Sequence, residues 1–368
     1  MELVFSHPQT YFDAVAPFAD RLPIYTGEFQ FCSPGSYAVL HRFKQHMRRA
    51  ELLLERAEGL AAQFPEAAPP DAALQLEPAW KDVLFNQFHD TLAGTSIEPA
   101  YEHGRDELGR AAAAGRELMV DITRRRTVDL GPCEQQRLVL HNTGPEPFEG
   151  LVVTEPWLGA ESGKIPVRYT DADGKDLIFQ VIAGHAAEQK MFQYLIPVKL
   201  EPFGRTIVRM HHDHQPEQGA SPFSFKDGEI DNGRVRIKLT DEGIGSVIAD
   251  GAELLAPSGI RLTVQEDHTN TWGSGGNAPY FDGARKGLFQ CGGAWRVLED
   301  GPCRMVVSAE FRFEHSVLIW KVLLDKDDPA SRAYRVASSR KKRATRRWRV
   351  APARKCLPSA RTHCMRWG

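Results

Sequence analysis

The chain has 368 residues and a mass of 41.2 kDa, which exceeds a typical single domain and indicates two or three domains. Hydrophobic residues at 42% and charged residues at 26% argue against disorder throughout, and no apolar run approaches the length of a membrane-spanning helix. Six cysteines without a CxxC pair argue against a disulfide scaffold or a zinc knuckle, and the N-terminus shows no secretory signal, so we expect a reducing, cytoplasmic compartment.

The net charge of −2 hides a strong asymmetry along the chain. Residues 340–368 contain eleven lysines and arginines and no acidic residue, whereas residues 1–339 contain 35 basic and 48 acidic residues. The body of the protein is therefore acidic, and the tail is a different kind of sequence.

The first 130 residues show helical periodicity. Pro8 to Leu22 predicts a short helix that places its aromatic residues on one face, and Ser33-Pro34 predicts the start of a long amphipathic helix ending near Phe64-Pro65. A further helix is predicted over Ala73 to Phe88. Thr95 to Glu98 has the spacing of a capping box and predicts a last helix that runs to about Arg125. Three successive helices with short connections predict an antiparallel three-helix bundle.

After Pro132 the period of the hydrophobic pattern becomes two, which predicts strands. Turn residues separate these strands at intervals typical of β-sandwiches. We therefore predict a multidomain α+β protein in which the helical bundle is followed by an all-β region of two stacked parts. The predicted strands are Arg137–Asn142, Gly150–Glu155, Lys164–Tyr169, Leu177–Val181, Met191–Leu200, Thr206–His211, Gly233–Thr240, Gly245–Ala249, Ile260–Gln265, Arg304–Phe313 and Val317–Leu324.

His89 and Asp90 are the most informative residues for chemistry. They fall at the predicted C-terminal end of a helix, where a carboxylate opposes the helix dipole without gaining a capping bond. An imidazole beside a carboxylate suits a divalent metal and a polyhydroxylated ligand, although zinc needs three or four ligands. On spacing alone, the simpler interpretation is a helix end with a satisfied histidine and a solvated aspartate.

Two segments resemble the signatures of glycoside hydrolase family 38, the retaining α-mannosidases. The first is Asn86-Gln87-Phe88-His89-Asp90 followed by Gly94-Thr95-Ser96. The second comprises Tyr25 to Gln30, a Gly35-Ser36-Tyr37 turn and the stretch from Lys44 to Glu51. The form of these segments is most similar to bacterial mannosylglycerate hydrolases. The resemblance covers roughly residues 1–330, and the order of a helical bundle and β regions agrees with it.

The resemblance implies roles for two residues. His89 matches the family's last zinc ligand, and Asp90 matches the carboxylate that contacts the mannose hydroxyls beside the metal. The family's remaining ligands, its nucleophile and its acid/base carboxylate lie in an N-terminal α/β domain, upstream of the stretch that matches Met1. The resemblance thus predicts a truncated α-mannosidase that acts on α-mannosides when intact, needs zinc, and is inactive by itself with zinc weakly bound or absent.

Three other features contain residue types that occur in functional sites, but a structural role or an ordinary loop is the favoured interpretation of each. The His211-His212-Asp213-His214 run has the His-x-Asp spacing of the family's metal ligands, but it lies downstream of His89 and favours a polar loop. Glu28 matches a structural position of the family pattern. The glycine-rich loop around Trp272 opens no helix, so phosphate binding is not expected.

The basic tail has two interpretations. Eleven cationic residues are able to bind nucleic acid or an acidic partner, but scattered Cys and Trp and the lack of periodicity favour an aberrant coding sequence or a disordered segment. The competing functional class for the whole chain is a non-catalytic carbohydrate-binding or interaction module; no membrane partner is expected and a nucleic-acid partner is not favoured.

The predicted domains are 1–32, a remnant of the α/β catalytic domain; 33–130, the helical bundle; 131–222, a small β domain; 223–339, an incomplete large β-sandwich; and 340–368, the basic tail.

Overall fold

A computed structural model shows a helical N-terminal part followed by antiparallel sheets. The segments that it describes are 5–26, 34–133, 136–155, 168–186, 191–211, 219–266, 284–326, 335–339 and 349–352. Their α-helices, in chain order, are α1 (Pro8–Val15), α2 (Pro34–Ala38), α3 (His41–Gln63), α4 (Ala72–Asn86), α5 (His89–Ala93) and α6 (Glu98–Arg125).

The N-terminal helix does not bury the aromatic face that its sequence predicts. Helix α1 is followed by a 3-10 helix, Ala16–Arg21, and neither element contains a buried residue. The side chains of Tyr11, Phe12 and Phe18 are 64%, 62% and 48% exposed. The predicted helix therefore forms, but its apolar face lies against no other part of the described chain.

The long helix predicted from Ser33 is two helices. Leu40 has a φ of 49°, in the left-handed region, and this residue separates α2 from α3. The break leaves the Val39 carbonyl outside the helical hydrogen-bond ladder, and the Lys44 ammonium donates to it at 2.8 Å. Periodicity could not show this break, because apolar residues recur at helical spacing on both sides of it.

Helices α3, α4 and α6 share one hydrophobic core. Gly115 of α6 lies so close to α3 that a Cβ atom there would be 2.9 Å from the backbone carbonyl of Leu53. Residues at three- and four-residue spacing supply the rest of the core, which confirms the predicted amphipathic pattern. Its buried members are Phe43, Met47, Ala50, Leu54, Ala57, Leu60, Ala67, Ala72, Leu76, Ala79, Val83, Tyr101, Leu108, Ala111, Leu118 and Ile122.

The first β region consists of two small sheets around a second core. Tyr169 and Tyr194, one from each sheet, are fully buried with ring centroids 5.5 Å apart. One sheet has the order β1-β7-β3-β4 and the other β2-β6-β5. The strands are β1 (Arg137–His141), β2 (Phe148–Thr154), β3 (Arg168–Thr170), β4 (Asp176–Leu177), β5 (Gln180–Ala186), β6 (Met191–Leu200) and β7 (Arg205–His211).

The second β region follows the same plan on a larger scale. Its two sheets share one core, as the sheets of a β-sandwich do, with Trp320 at 1% exposure. The strands are β8 (Ser224–Lys226), β9 (Glu229–Asp231), β10 (Val235–Thr240), β11 (Gly243–Ala249), β12 (Ala252–Glu253), β13 (Ile260–Gln265), β14 (Arg285–Leu288), β15 (Gln290–Cys291), β16 (Arg296–Asp300), β17 (Arg304–Phe313), β18 (Ser316–Asp325), β19 (Arg335–Ser339) and β20 (Arg349–Pro352).

All strand pairings among the described residues are antiparallel. The helices precede the strands along the chain, as the sequence predicts. The predicted strands Met191–Leu200, Ile260–Gln265 and Arg304–Phe313 match the structure at both ends. The sequence patterns missed the short strands β8, β9, β12, β14, β15 and β16 and the edge strands β19 and β20, because two to five residues carry too few alternations to define a period.

Strand β20 lies within the basic tail. Residues 349–352 pair with Leu262–Gln265 of β13, so this part of the tail contributes backbone hydrogen bonds to the larger sheet. Such pairing depends on backbone groups and needs no alternating side-chain pattern. The remaining residues of 340–368 lie outside the described segments.

Arg126 joins the helical region to the first β region. Its guanidinium lies over the Phe64 ring at 3.4 Å from the centroid and donates to the Phe203 carbonyl at 3.2 Å. Arg205 on β7 donates to the Arg126 carbonyl and pairs with Asp129. The two regions are thus connected through a continuous set of polar contacts.

Gln180 joins the two β regions. Its side chain is only 2% exposed. Gln180 Oε1 accepts hydrogen bonds from the backbone N–H groups of Cys303 at 3.1 Å and Arg304 at 2.8 Å, and Nε2 donates to the Arg304 carbonyl at 3.0 Å. One amide therefore satisfies three backbone groups of the neighbouring β region.

Candidate functional site

His89 and Asp90 open a separate short helix. Helix α4 ends at Asn86, and α5 then runs from His89 to Ala93 before Gly94 ends it in the left-handed conformation with φ 85°. The prediction that Asp90 opposes a helix dipole is therefore wrong, because Asp90 lies in the first turn of α5, where a carboxylate is favourable. Phe88, with φ −51° and ψ 138°, is the extended residue that separates the two helices.

The two side chains face solvent and lie close together. His89 Nε2 is 3.6 Å from Asp90 Oδ2, and the side chains are 73% and 46% exposed. The His89 ring also packs on Phe88, with 4.2 Å between centroids. The pair is therefore accessible to a ligand from outside the described residues.

Thr95 restricts the Asp90 carboxylate. Thr95 Oγ1 donates to Asp90 Oδ1 at 3.2 Å and to the Asp90 carbonyl at 3.1 Å. The predicted capping box is wrong, because α6 begins after Ile97 and its N-cap receives no side-chain hydrogen bond. Thr95 holds the preceding helix rather than the following one, and it leaves Asp90 Oδ2 directed to the side of His89.

Asn86 anchors the motif in the helical core. This side chain is 2% exposed, and its Nδ2 donates to the Asp82 carbonyl at 2.8 Å and to Glu107 Oε2 at 2.6 Å. Glu107 is itself 9% exposed and pairs through Oε1 with His103 Nε2 at 2.9 Å. The buried polar atoms therefore satisfy each other between α4 and α6.

Gln87 connects the two motifs that carry the resemblance. Its Nε2 donates to Glu51 Oε1 at 2.8 Å across 36 residues of sequence. Glu51 Oε2 accepts from Arg48 Nη1 at 3.1 Å. The segment from Lys44 to Glu51 and the segment that begins at Asn86 thus form one continuous surface.

Several exposed apolar residues lie in the segments that border His89. Phe85 and Phe88, at the end of α4 and just after it, are 70% and 55% exposed, and Ile97 before α6 is 73% exposed. Exposed aromatic residues beside a polar pair are typical of surfaces that contact a ligand or another polypeptide.

The donor atoms of this surface are compatible with part of a zinc site. Zinc accepts a histidine nitrogen at about 2.1 Å, and the exposed His89 Nε2 is a donor of this kind, with Asp90 Oδ2 3.6 Å from it. Within the described segments, no group of three or more His, Cys, Asp or Glu side chains is arranged to hold a metal ion. His89 therefore fits one of the four ligand positions, and the Asp90 carboxylate lies beside it.

Three further residues support the site: Tyr101 and Glu107 were not singled out from the sequence, and Lys44 was noted only as the first residue of a motif segment. Lys44 donates to the Leu92 carbonyl, Tyr101 bonds to three backbone groups of residues 90–96, and Glu107 anchors Asn86. The sequence signal for the role of Lys44 was its place in the first turn of a helix. A cation is unfavourable there unless hydrogen-bond acceptors lie close to it.

The other candidates are separate from this surface or outside the described residues. His211 is on β7, where its Nε2 lies 3.0 Å from Thr170 Oγ1. The rest of the 211–214 run, Glu28 and the loop around Trp272 lie outside the described residues.

The helical region matches a known family model. Residues 34–125 match the alpha mannosidase middle domain. The helical region is thus similar to a domain of the α-mannosidases. The matched residues comprise α2 to α6 and therefore include the first motif with the His89–Asp90 pair, and the part of the second motif from Gly35 to Glu51.

Curated relatives extend the likeness. The chain is 26% identical over 278 residues to Alpha-mannosidase 2C1 of Homo sapiens, covering 69% of this chain and 22% of the human protein. It is 30% identical over 102 residues to Alpha-mannosidase G of Dictyostelium discoideum and 34% identical over 86 residues to Alpha-mannosidase of Saccharomyces cerevisiae, covering 9% and 8% of those proteins. The chain therefore spans less than a quarter of the length of these relatives.

Solved structures show the same fold. A protein in glycosyl hydrolase family 38 from Enterococcus faecalis has a TM-score of 0.63 at 17% identity, covering 89% of this chain and 46% of that protein. An alpha-mannosidase from Enterococcus faecalis V583 has a TM-score of 0.61 at 16% identity. No described helix is both long and apolar enough to cross a membrane.

Proposed function

We propose that this chain supplies the metal-binding and sugar-contacting part of a family 38 retaining α-mannosidase, of the bacterial, mannosylglycerate hydrolase-like type. The observation that carries the proposal is the exposed His89–Asp90 pair on α5, linked through Gln87 and Glu51 to the second motif. The named α-mannosidases among its relatives support an α-mannoside as the ligand.

His89 and Asp90 have different roles in this proposal. His89 Nε2 would be one ligand of a zinc ion, which when bound would supply positive charge for holding vicinal sugar hydroxyls. The Asp90 carboxylate accepts hydrogen bonds from those hydroxyls through Oδ2, while Thr95 occupies Oδ1. The exposure of both side chains leaves room for a sugar ring on this face.

The bond-breaking groups come from elsewhere in this proposal. A retaining glycosidase needs a carboxylate nucleophile and a second carboxylate that protonates the leaving oxygen and then activates water. The resemblance matches no residue of this chain to either group. We therefore propose that a further segment, in the same or another polypeptide, provides both carboxylates and the remaining zinc ligands, and that the 368-residue chain alone does not hydrolyse mannosides.

Zinc and sugar measurements on single variants test the proposal. The purified chain should bind Zn²⁺ weakly, without a stoichiometric metal, and should not hydrolyse an activated aryl α-mannoside. His89→Ala should abolish the weak Zn²⁺ binding, whereas Asp90→Asn should retain more Zn²⁺ binding than mannose binding. His46→Ala, at an exposed histidine on α3, is the matched control.

Two outcomes would contradict the proposal. Stoichiometric zinc and mannosidase turnover in the chain alone would show that the catalytic residues are misplaced. Mannose binding that survives both His89→Ala and Asp90→Asn would favour a non-catalytic carbohydrate-binding module. A fusion that adds a segment with the missing carboxylates should gain activity, and His89→Ala should remove it.

A further inference from the structure

Helix α5 is too short to be stable by itself. It has five residues, none of them buried, and helix nucleation is costly in so short a segment. The orientation of His89 and Asp90 must therefore be set by contacts from other elements. Those contacts are concentrated on the carbonyl groups of three successive residues, 90, 91 and 92.

Side chains from two long helices bond to these carbonyls. Tyr101, in the first turn of α6, has its hydroxyl 3.3 Å from the Asp90 carbonyl and 3.2 Å from the Thr91 carbonyl. The same hydroxyl accepts a hydrogen bond from the Ser96 N–H at 2.9 Å. Its ring is 4% exposed and packs edge-on against Phe43, with 5.3 Å between centroids.

Lys44 reaches the last of the three carbonyls. Its ammonium donates to the Leu92 carbonyl at 2.6 Å and to the Val39 carbonyl at 2.8 Å. These carbonyls lie at the C-terminal ends of α5 and α2, where a cation is favourable. Burial lowers the pKa of Lys44, but the ammonium keeps two strong acceptors.

Backbone contact fixes the same junction. Gly94, which ends α5, lies directly against Val39, since a Cβ atom on Gly94 would be 2.1 Å from Val39 Cγ1. The two short helices therefore meet at the point where Lys44 binds both. A change at Lys44 releases α5 from the start of α3 without altering the side chain of either His89 or Asp90.

We infer that Lys44 and Tyr101 are positioning residues, which hold α5 in an orientation that lets His89 and Asp90 contact the same bound ligand. This inference rests on the proposed function. Groups that orient metal ligands typically change metal affinity by about 10- to 100-fold when removed. Removing the polar group of Lys44 or Tyr101 should therefore lower the Zn²⁺ affinity of the chain while the chain remains folded.

The test is a Zn²⁺ titration of the full chain by isothermal titration calorimetry, with the NMR signal of the ¹³C-labelled His89 imidazole followed in every variant that keeps this residue. Lys44→Met should weaken Zn²⁺ binding about tenfold and speed amide hydrogen exchange in residues 90–96. Lys44→Arg should restore most of the affinity, because a guanidinium also donates to two carbonyls. Lys81→Met, at an exposed lysine that pairs with Glu77, is the matched control and should bind Zn²⁺ as the unmodified chain does.

Tyr101→Phe provides a second variant that keeps the packed ring and removes only the hydroxyl. It should also weaken Zn²⁺ binding, which keeps the inference testable if Lys44→Met does not fold. Unchanged Zn²⁺ affinity in both variants, with a loss in His89→Ala, would overturn the positioning role alone. Unchanged affinity in His89→Ala would overturn the proposed function, and the positioning role with it.

Discussion

Gln87 and Glu51, 36 residues apart in sequence, meet through a hydrogen bond of 2.8 Å from Nε2 to Oε1. Each belongs to one of the two motifs that resemble family 38. The residue after Gln87 separates α4 from α5, so this contact fixes the last residue before the segment that presents His89. The two motifs are thus parts of one surface.

A double-mutant cycle should measure this contact. Gln87→Ala and Glu51→Ala should show a coupling energy of about 0.5–1 kcal/mol in the free energy of unfolding, because the pair is neutral-to-charged and exposed. Gln87→Ala combined with Glu58→Ala is the control, since Glu58 accepts from Trp80 Nε1 instead. A coupling energy of zero for Gln87 and Glu51 would show that the contact contributes nothing in solution.

Gly94→Ala should disrupt the end of α5. The substitution places a Cβ atom 2.1 Å from Val39 Cγ1 and forces alanine to a φ of 85°. We expect a loss of about 2–4 kcal/mol in the free energy of unfolding, measured by denaturant titration, from overpacking and left-handed strain together. Gly174→Ala is the matched control, because Gly174 has a φ of 84° and nothing within 4 Å of the added Cβ.

The control should lose only about 1 kcal/mol, the cost of the left-handed backbone. Adding Val39→Ala to Gly94→Ala should recover part of the loss by making space. Equal losses in the Gly94 and Gly174 variants would indicate that the Gly94–Val39 approach is not a tight contact.

Gln180→Ala should weaken the connection between the two β regions. It removes the acceptor for the N–H groups of Cys303 and Arg304, which are left without a partner in a buried place, and we expect a loss of about 2–4 kcal/mol. Gln193→Ala, which removes an exposed bond to Glu155, should cost less than about 0.5 kcal/mol. Similar midpoints of chemical denaturation for the two variants would argue against the bridging role of Gln180.

His141 should make stability depend on pH at the junction of the helical and β regions. Burial first, and then the charges of Arg126 and Arg205, lower the pKa of His141 from its ordinary value of 6.5 to about 4. The folded state therefore binds a proton less readily than the unfolded state, so stability is full above pH 6.5 and falls as the pH drops toward about 4. The loss should be about 1–2 kcal/mol, reduced by solvent screening because the ring is partly exposed.

His141→Gln tests this contribution. The variant should show a weaker fall in thermal unfolding midpoint between pH 6.5 and 4.5 than the unmodified chain, because glutamine does not titrate. His46→Ala, at an exposed histidine, should retain the original pH profile. An identical pH profile in His141→Gln would show that other groups cause any acid sensitivity.

The sequence alone determined the order and type of the larger elements. Residues 41–125 carry long apolar stripes at helical spacing, and ten-residue strands such as β17 and β18 carry enough alternation to define a period of two. Periodicity of this kind reflects which face of an element is buried away from water. The spacing of apolar residues along the chain is enough to identify that face. The motif Asn86 to Asp90 also identifies His89 and Asp90 as candidate site residues from the sequence itself.

Tertiary structure decided how that pair is presented. The contact of Gly94 with Val39 and the bond from Lys44 to the Leu92 carbonyl join residues that are distant in sequence, and Tyr101 of α6 bonds to the Thr91 carbonyl. A five-residue helix has too few residues for a period and too little buried surface to be stable alone. Its position is therefore set by partners that only the folded chain brings together.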